Sequence, residues 1–356
     1  MNLLRVLVST VIVALGAVTA LNSATAPVMD ATGYISHADG PPRKVVVATV
    51  VADISGSVDA RLQFVGRSID RAAREAAVIC PGRGLDLVVF PEFAICRETG
   101  VAAAERAVIL DGPVSDAIGS KAREHRTWLV VPMTLQETDR ISNAAVLFDR
   151  AGKVAGIFRK VHPVADDAGV LEGGVTPGAA YPVFDCDFGR LGILVCWDMA
   201  YDEGWDALAA GGAEIVALTS ASPQTLRPSS QALRHHFYVV TSTPRDNASV
   251  FDPIGRTIAQ ATDAPGVAIR EIDLAFAILH WSEGLREGHG LTDRYGSRVG
   301  GTYSTREDTG VFWSNDPTLP IGAMIREVGL REMPDEIARM EAAAKRRRPE
   351  TTKTAR

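Results

Sequence analysis

The stretch "FGRLGILVCWDMAYDEGWDALAAGGAEIVAL", residues 188–218, decides how the chain folds. Leu191 to Val195 is a short apolar run without polar alternation, the pattern of a strand buried on both faces. It stops at Cys196. Small and polar residues follow, then an alanine-rich segment that reads as a helix, then a second apolar run, "AEIVALTS". Strand, helix and strand in about 30 residues is the unit from which layered α/β folds are built. The cysteine stands where the first strand hands over to the helix.

The same alternation extends outward in both directions. "RKVVVATVVADI" (43–54) is a valine-rich strand, and "RLQFVGRSIDRAAREAAVIC" (61–80) places Leu62, Val65, Ile69, Ala72, Ala76 and Ile79 at helical spacing. "LDLVVFPEF" is a strand running to Pro91, "VSDAIGSKAREHR" a helix and "TWLVVPMTL" a strand. "SNAAVLFDRAGKVAGIFRKVH" reads as a hairpin turning at Asp149 to Gly152, and "YPVFDCDFGRLGILVCWD" as two extended runs around Gly189. "SSQALRHH" is a helix, "FYVVTSTP" a strand, and "ASVFDPIGRTIAQA" a second hairpin turning at Asp252 to Gly255. The chain is therefore expected to be mixed α/β, with sheets covered by helices. Beyond Leu274 the sequence is polar, glycine-rich and aromatic. Residues 276–332 are expected to pack on the core or on a partner subunit, and residues 333–356 to form a helix, "MPDEIARMEAAAKRRR", with a basic tail.

With 356 residues the chain can bury a large core, and a net charge of −6 gives no reason to expect nucleic acid as a partner. The N-terminus departs from the average. One charge, Arg5, precedes an apolar run from Val6 to Leu21, and small residues follow. That is the layout of a secretory signal peptide, expected over residues 1–26 and followed by a linker over 27–43. It implies export to a periplasmic or extracellular space. An uncleaved segment anchoring the chain to a membrane is the alternative, although the run is short for a bilayer span. The four cysteines, at 80, 96, 186 and 196, match no zinc spacing and are too few for a disulfide scaffold; Cys80–Cys96 is the one disulfide pairing considered.

Three strand ends carry the chemistry. A cysteine after a strand is commonly a buried structural residue. As a nucleophile, Cys196 would gain from backbone N–H groups and the positive end of a following helix, which lower a thiol's pKa and can hold an oxyanion. Glu92 in "FPEF" sits just past a buried strand, where partial desolvation suits a general base. Lys160 in "FRKVH" ends a hairpin strand between apolar residues. Alone, the acid or the amine reads as a surface charge; together with the thiol they have a chemical purpose. His162, His235 and His236 keep a Cys–His hydrolase open as a rival.

Glu in "FPEF", Lys in "FRKVH" and Cys in "GILVCWD" resemble, in order and separation, the three motifs of the nitrilase superfamily of carbon–nitrogen hydrolases. The resemblance spans residues 44–275 and includes Asn143, "GGVTPG" and "DPIGR". It implies a four-layer α-β-β-α sandwich, usually paired into homodimers or larger homo-oligomers. It implies Cys196 as nucleophile, Glu92 as general base and Lys160 as stabiliser of the tetrahedral intermediate. Glu172 in "VLEGGVTPG" resembles the family's second glutamate, and the Trp197 backbone N–H would sit at the oxyanion. No metal or organic cofactor is implied. The expected activity is hydrolysis of a linear amide, a small-molecule substrate, with a nitrile or N-carbamoyl compound as alternatives. An inactive scaffold serving as a binding module is the alternative of another class. Ala200, Tyr201 and Asp202 replace the arginine, aromatic and proline common after the cysteine, which leaves substrate identity open. Arg245 is a candidate for the missing carboxylate anchor.

Overall fold

The computed structural model describes residues 36–96 and 101–348. The expected signal peptide, residues 27–35 of the linker and residues 349–356 of the basic tail lie outside the described residues. Six strands come first: β1 (Lys44–Val51), β2 (Leu87–Val89), β3 (Val108–Ile109), β4 (Trp128–Gln136), β5 (Ile141–Phe148) and β6 (Val154–Arg159). Six more follow: β7 (Val183–Cys186), β8 (Gly189–Val195), β9 (Ile215–Thr219), β10 (Tyr238–Ser242), β11 (Ala248–Phe251) and β12 (Thr257–Ala261). The next strand, β13 (Gly266–Asp273), returns to lie antiparallel beside β1 and completes the first sheet, in the order β13-β1-β2-β4-β5-β6 with β3 beside β4. The second sheet has the order β12-β11-β10-β9-β8-β7.

Side chains alternate across each strand, and the alternation sorts the layers. Val45, Val47, Leu87 and Val89 share one cluster with Leu191, Ile193 and Val195 of the second sheet. Their neighbours Val46, Ala48, Val88 and Phe90 pack instead with Val65, Ile69, Ala72 and Ala76 of α1 (Val58–Ile79). A short turn, α2 (Ala103–Arg106), precedes α3 (Pro113–His125), which packs beside α1 through Val114, Ile118 and Ala122. Trp205 and Leu208 of α4 (Asp202–Ala210) and Ala232 of α5 (Leu226–His235) cover the far side of the second sheet. The result is the four-layer α-β-β-α sandwich. Its two inner faces are mostly apolar, which explains why the strands carry little polar alternation.

The topology gathers three strand ends. β2 and β4 run parallel, β5 reverses, and β6 reverses again, so β2 and β6 finish at the same edge. β8 runs parallel with β9 and β10. Ligands of open α/β sheets bind at such carboxyl ends.

Two details differ from the sequence reading. No α-helix begins at Cys196. The residue takes φ +48°, in the left-handed region, and a 3-10 turn over Cys196–Ala200 follows before α4 starts at Asp202. Nor does a disulfide join Cys80 to Cys96. Cys80 closes the C-terminus of α1 ahead of β2, and Cys96 lies past its other end.

After β13 the chain builds a third, three-stranded sheet from β14 (Phe276–His280), β15 (Val299–Ser304) and β16 (Thr309–Ser314), in the order β14-β16-β15. Phe276, Ile278 and Val311 belong to the sandwich core. Leu279, Leu291 and Phe312 pack with Met324 and Ile325 of α7 (Ile321–Glu327), which follows α6 (His289–Tyr295). The last element is α8 (Met333–Arg347).

Candidate active site

Glu92, Lys160 and Cys196 meet at the floor of an open cavity of about 620 Å³. The Lys160 ammonium lies 2.8 Å from Glu92 Oε1 and 2.6 Å from Glu172 Oε1. Lys160 and Glu92 are 1 % and 3 % exposed, so this is a buried ion triad. The Asn143 side-chain amide donates to both acids, 2.8 Å to Glu92 Oε1 and 2.8 Å to Glu172 Oε2. Glu92 Oε2 accepts the Ala221 N–H at 3.0 Å, and with two lone pairs per oxygen it has capacity for one proton more. Glu172 Oε1 also accepts the Val164 N–H at 3.0 Å. Three groups thus hold two carboxylates in fixed positions around one cation.

The electrostatics follow from burial. Burial alone would lower Lys160, but Glu92, the Cys196 sulfur and Glu172 together hold it above the ordinary lysine value, so it stays charged. Burial pushes the Cys196 thiol up to about 11; Glu92 adds to the rise and Lys160 opposes it. The expectation of a thiol acidified by a helix end is therefore corrected. The turn after Cys196 is too short to act as a helix dipole, and desolvation wins. A thiol held protonated beside a carboxylate can react only if that proton is removed as the sulfur attacks.

Backbone strain concentrates here. Phe93, Glu172 and Cys196 all have positive φ, at 59°, 42° and 48°, and all line the cavity. Each such non-glycine residue costs about 1–2 kcal/mol. The surrounding hydrogen bonds offset it. Asp198, fully buried, ties the cysteine turn to the lysine strand: Oδ1 accepts the N–H groups of Val161 (3.1 Å) and His162 (2.7 Å), and Oδ2 that of Val195 (3.2 Å). Burial raises Asp198 to about 6 against those bonds.

The other sequence candidates fall elsewhere. His162 stacks on Tyr201 at 3.7 Å and shares a 3.1 Å hydrogen bond with the Tyr181 hydroxyl. His235 pairs with Asp206, and His236 Nδ1 lies 2.9 Å from the Pro253 carbonyl. None of the three is among the cavity-lining residues, so the Cys–His arrangement does not form. Arg245 is exposed and pairs with its neighbour Asp246. The Trp197 side chain is largely exposed, which leaves only its backbone for the site.

Sequence reading missed Arg106, which lines the cavity, lies over the Phe93 ring and donates to the Glu172 carbonyl at 2.6 Å. It also missed Asp198 and the Ala221 N–H. Asp198 had a signal, since it follows the cysteine by two residues; a backbone N–H carries none. Asp70, Glu124 and His125 on α1 and α3 are spaced as cation ligands. The Lys121 ammonium, 2.8 Å from both Asp70 and Glu124, already pairs with both.

Residues 46–278 match the family model described as carbon–nitrogen hydrolase. The chain is 31% identical over 149 residues to the deaminated glutathione amidase of Yersinia enterocolitica, covering 39% of this chain and 52% of the relative. It is 28% identical over 196 residues to that of Rattus norvegicus, covering 47% and 60%. It thus spans between about half and three fifths of the length of these curated relatives. Its fold is similar to that of Saccharomyces cerevisiae Nit3, a member of branch 10 of the nitrilase superfamily, with a TM-score of 0.55 and 25% identity over 65% of this chain and 90% of that one. The chain belongs to the carbon–nitrogen hydrolases of the nitrilase superfamily.

Proposed function

We propose that this hydrolase cleaves a linear amide through a Cys196 thioester, with Glu92 as base and Lys160 as electrostatic stabiliser. The observation that carries the reading is the buried Lys160 ammonium bridging Glu92 and Glu172 beside the Cys196 thiol, at the floor of a cavity large enough for a small substrate. Relatives named as amidases favour an amide over a nitrile.

In the first half-reaction the Cys196 proton passes to Glu92 Oε2 as Sγ bonds to the carbonyl carbon. The carbonyl oxygen becomes an oxyanion beside the Lys160 ammonium and the Trp197 backbone N–H. Glu92 then gives that proton to the departing nitrogen as the C–N bond breaks, leaving a thioester and a free amine or ammonia. In the second, Glu92 takes a proton from water, the hydroxide oxygen adds to the thioester, and the C–S bond breaks. The carboxylic acid departs and the proton returns to Cys196. Glu172 acts as a positioning residue, holding Lys160 in place while Glu92 is neutral.

The apolar N-terminal run supports export, and a mature start near Leu21 or Pro27 on N-terminal sequencing would support cleavage. Leu226, Leu233, Trp197 and Tyr201 are exposed on α5 and the cysteine turn, an apolar surface suited to a second copy of the chain. Ammonia release from an amide panel by wild type and Cys196→Ala tests the chemistry. We expect release by wild type and loss of about 10³-fold or more in the variant; equal release by both proteins would refute the assignment.

A further inference from the structure

α8 leaves the body of the protein. Pro334 in its first turn is buried and Ile337 half-buried, but from Ala338 onward every described residue except Ala343 is exposed. Met333, Ile337, Met340 and Ala344 recur at helical spacing and form an apolar stripe. Met340 is 56% exposed and Trp281 57%, and the two line one groove with Leu279 and Leu330. At the far end of the helix Lys345 to Arg348 follow one another, all exposed. From Lys345 to Arg356 the sequence holds six basic residues and one acid, in a chain whose net charge is −6. The rest of the molecule is therefore strongly acidic, while this end carries a net positive charge.

The N-terminal side of the chain reaches the same place. The Ser36 hydroxyl lies 3.0 Å from the carboxylate of Glu332, the residue that precedes α8. Gly322 N–H donates to the Ala38 carbonyl at 2.8 Å, and Asp39 pairs with Arg326. The segment bearing the apolar Val6–Leu21 run thus joins the described structure beside the start of α8.

We propose that this end of the protein docks on an anionic lipid bilayer. α8 lies along the surface, with Met340 and Trp281 in the headgroup–acyl boundary and the basic end over the lipid headgroups. An apolar stripe, an interfacial tryptophan and clustered arginines are the features by which helices lie on membranes rather than cross them. Among the described residues no helix is long and apolar enough to cross one. A nucleic acid would satisfy the basic end but would meet an acidic body and leave Met340 and Trp281 in water. A second copy of the chain would bring two basic ends together.

The test is co-sedimentation of the purified protein at low salt with vesicles of phosphatidylglycerol mixed with phosphatidylcholine, and with phosphatidylcholine alone. Wild type is compared with an Arg346→Glu, Arg347→Glu, Arg348→Glu variant and with a Trp281→Ser, Met340→Ser variant. All are prepared in the same N-terminal form, so that any contribution of residues 1–26 cancels. We expect wild type to favour the anionic vesicles by tenfold or more. The triple variant should fall to the phosphatidylcholine level and the double variant lose several-fold, with amide hydrolysis unchanged. Equal binding to both vesicles, or wild-type binding by the triple variant, overturns the proposal. So do tighter retention of duplex DNA than of anionic vesicles at the same salt, and a fall in oligomeric mass in the triple variant.

Discussion

Replacing Glu92 by glutamine separates two roles that one carboxylate plays on the thiol. As a charge, Glu92 raises the Cys196 pKa; as the proposed base, it would remove the proton. The neutral amide of Glu92→Gln can do neither, so the two readouts move in opposite directions. Removal of a nearby negative charge lowers a thiol by on the order of 1 unit, so the variant holds more thiolate at neutral pH than wild type. Its amide hydrolysis nevertheless falls by about 10²–10⁴-fold, the usual worth of a general base. Stability falls as well. Oε1 accepts from Lys160 and Asn143 and Oε2 from the Ala221 N–H. A glutamine offers one acceptor atom, so its amide nitrogen must face a donor, leaving a buried donor unpaired at ~1–3 kcal/mol. The assays are the pH dependence of Cys196 alkylation by a small haloacetamide, kcat on an amide found by panel screening, and urea unfolding. A thiol pKa that rises in Glu92→Gln, or hydrolysis kept within a few-fold of wild type, would refute the reasoning.

Lys160→Met leaves Glu92 and Glu172 buried side by side without a cation. We expect a loss of ~3–5 kcal/mol in urea unfolding and at least ~10³-fold in kcat; a loss under ~1 kcal/mol would contradict the ion-triad picture. Asp198 carries a signed pH prediction. Its pKa is raised from 3.8 to about 6 on folding, so the stability it contributes is fully present below pH 3.8 and is lost as pH rises through about 6. The stability of wild type relative to Asp198→Asn should therefore decline between those pH values, by up to ~3 kcal/mol, and a flat difference would show that burial does not dominate there. Gly178→Ala acts on the loop behind Lys160. Gly178 N–H donates to the Lys160 carbonyl at 2.8 Å, and a Cβ at residue 178 would overlap the Arg159 carbonyl oxygen. We expect ~1–3 kcal/mol of destabilisation together with reduced kcat, read by thermal unfolding and amide turnover.

The parts of the fold written in side-chain pattern were legible. Buried strands announce themselves as unbroken valine, isoleucine and leucine runs, and α1 as an amphipathic period. Both hairpin turns fell at Asp149–Gly152 and Asp252–Gly255, because aspartate side chains accept local backbone N–H groups there. What escaped depends on backbone geometry. The turn at Cys196 reads as a helix start because small and polar residues suit one; only φ +48° at the cysteine delays α4 to Asp202. α5 begins at Leu226, three residues ahead of the expected "SSQALRHH", because Pro228 falls in its first turn, where a proline's missing N–H costs nothing. The strands β14 to β16 were hidden for another reason. Glycines 300, 301 and 310 make room for Trp313 and Phe312, so much of that sheet's apolar surface comes from a few aromatic rings rather than from an alternating run. In the site, ionisable side chains at strand ends could be found one by one. The bridge Asn143 makes between the two acids, and the Ala221 N–H bond to Glu92, could not, since each matters only through what stands opposite in space.

The charge count explains why these groups belong together. At rest the buried cluster holds two carboxylates, one ammonium and a neutral thiol. In the proposed cycle the thiol proton moves to Glu92, and the negative charge reappears on the substrate oxygen. The net charge of the desolvated site is the same before and after, so no step has to bring a new charge out of water, where burial would oppose it. Lys160 need not travel: as Glu92 becomes neutral, its ammonium turns from that carboxylate to the oxyanion, while Glu172, at 2.6 Å, keeps hold of it. In that proposed cycle a lysine held between two acids is better placed than one beside a single acid. With Glu172 replaced by glutamine, Lys160 would be held mainly by Glu92, the partner that the mechanism neutralises. The loss should then fall on kcat rather than on KM, because the cation would be displaced only after the proton has moved. A Glu172→Gln variant with unchanged kcat and a raised KM would instead make Glu172 a substrate-binding group, and the constant-charge account would fail with it.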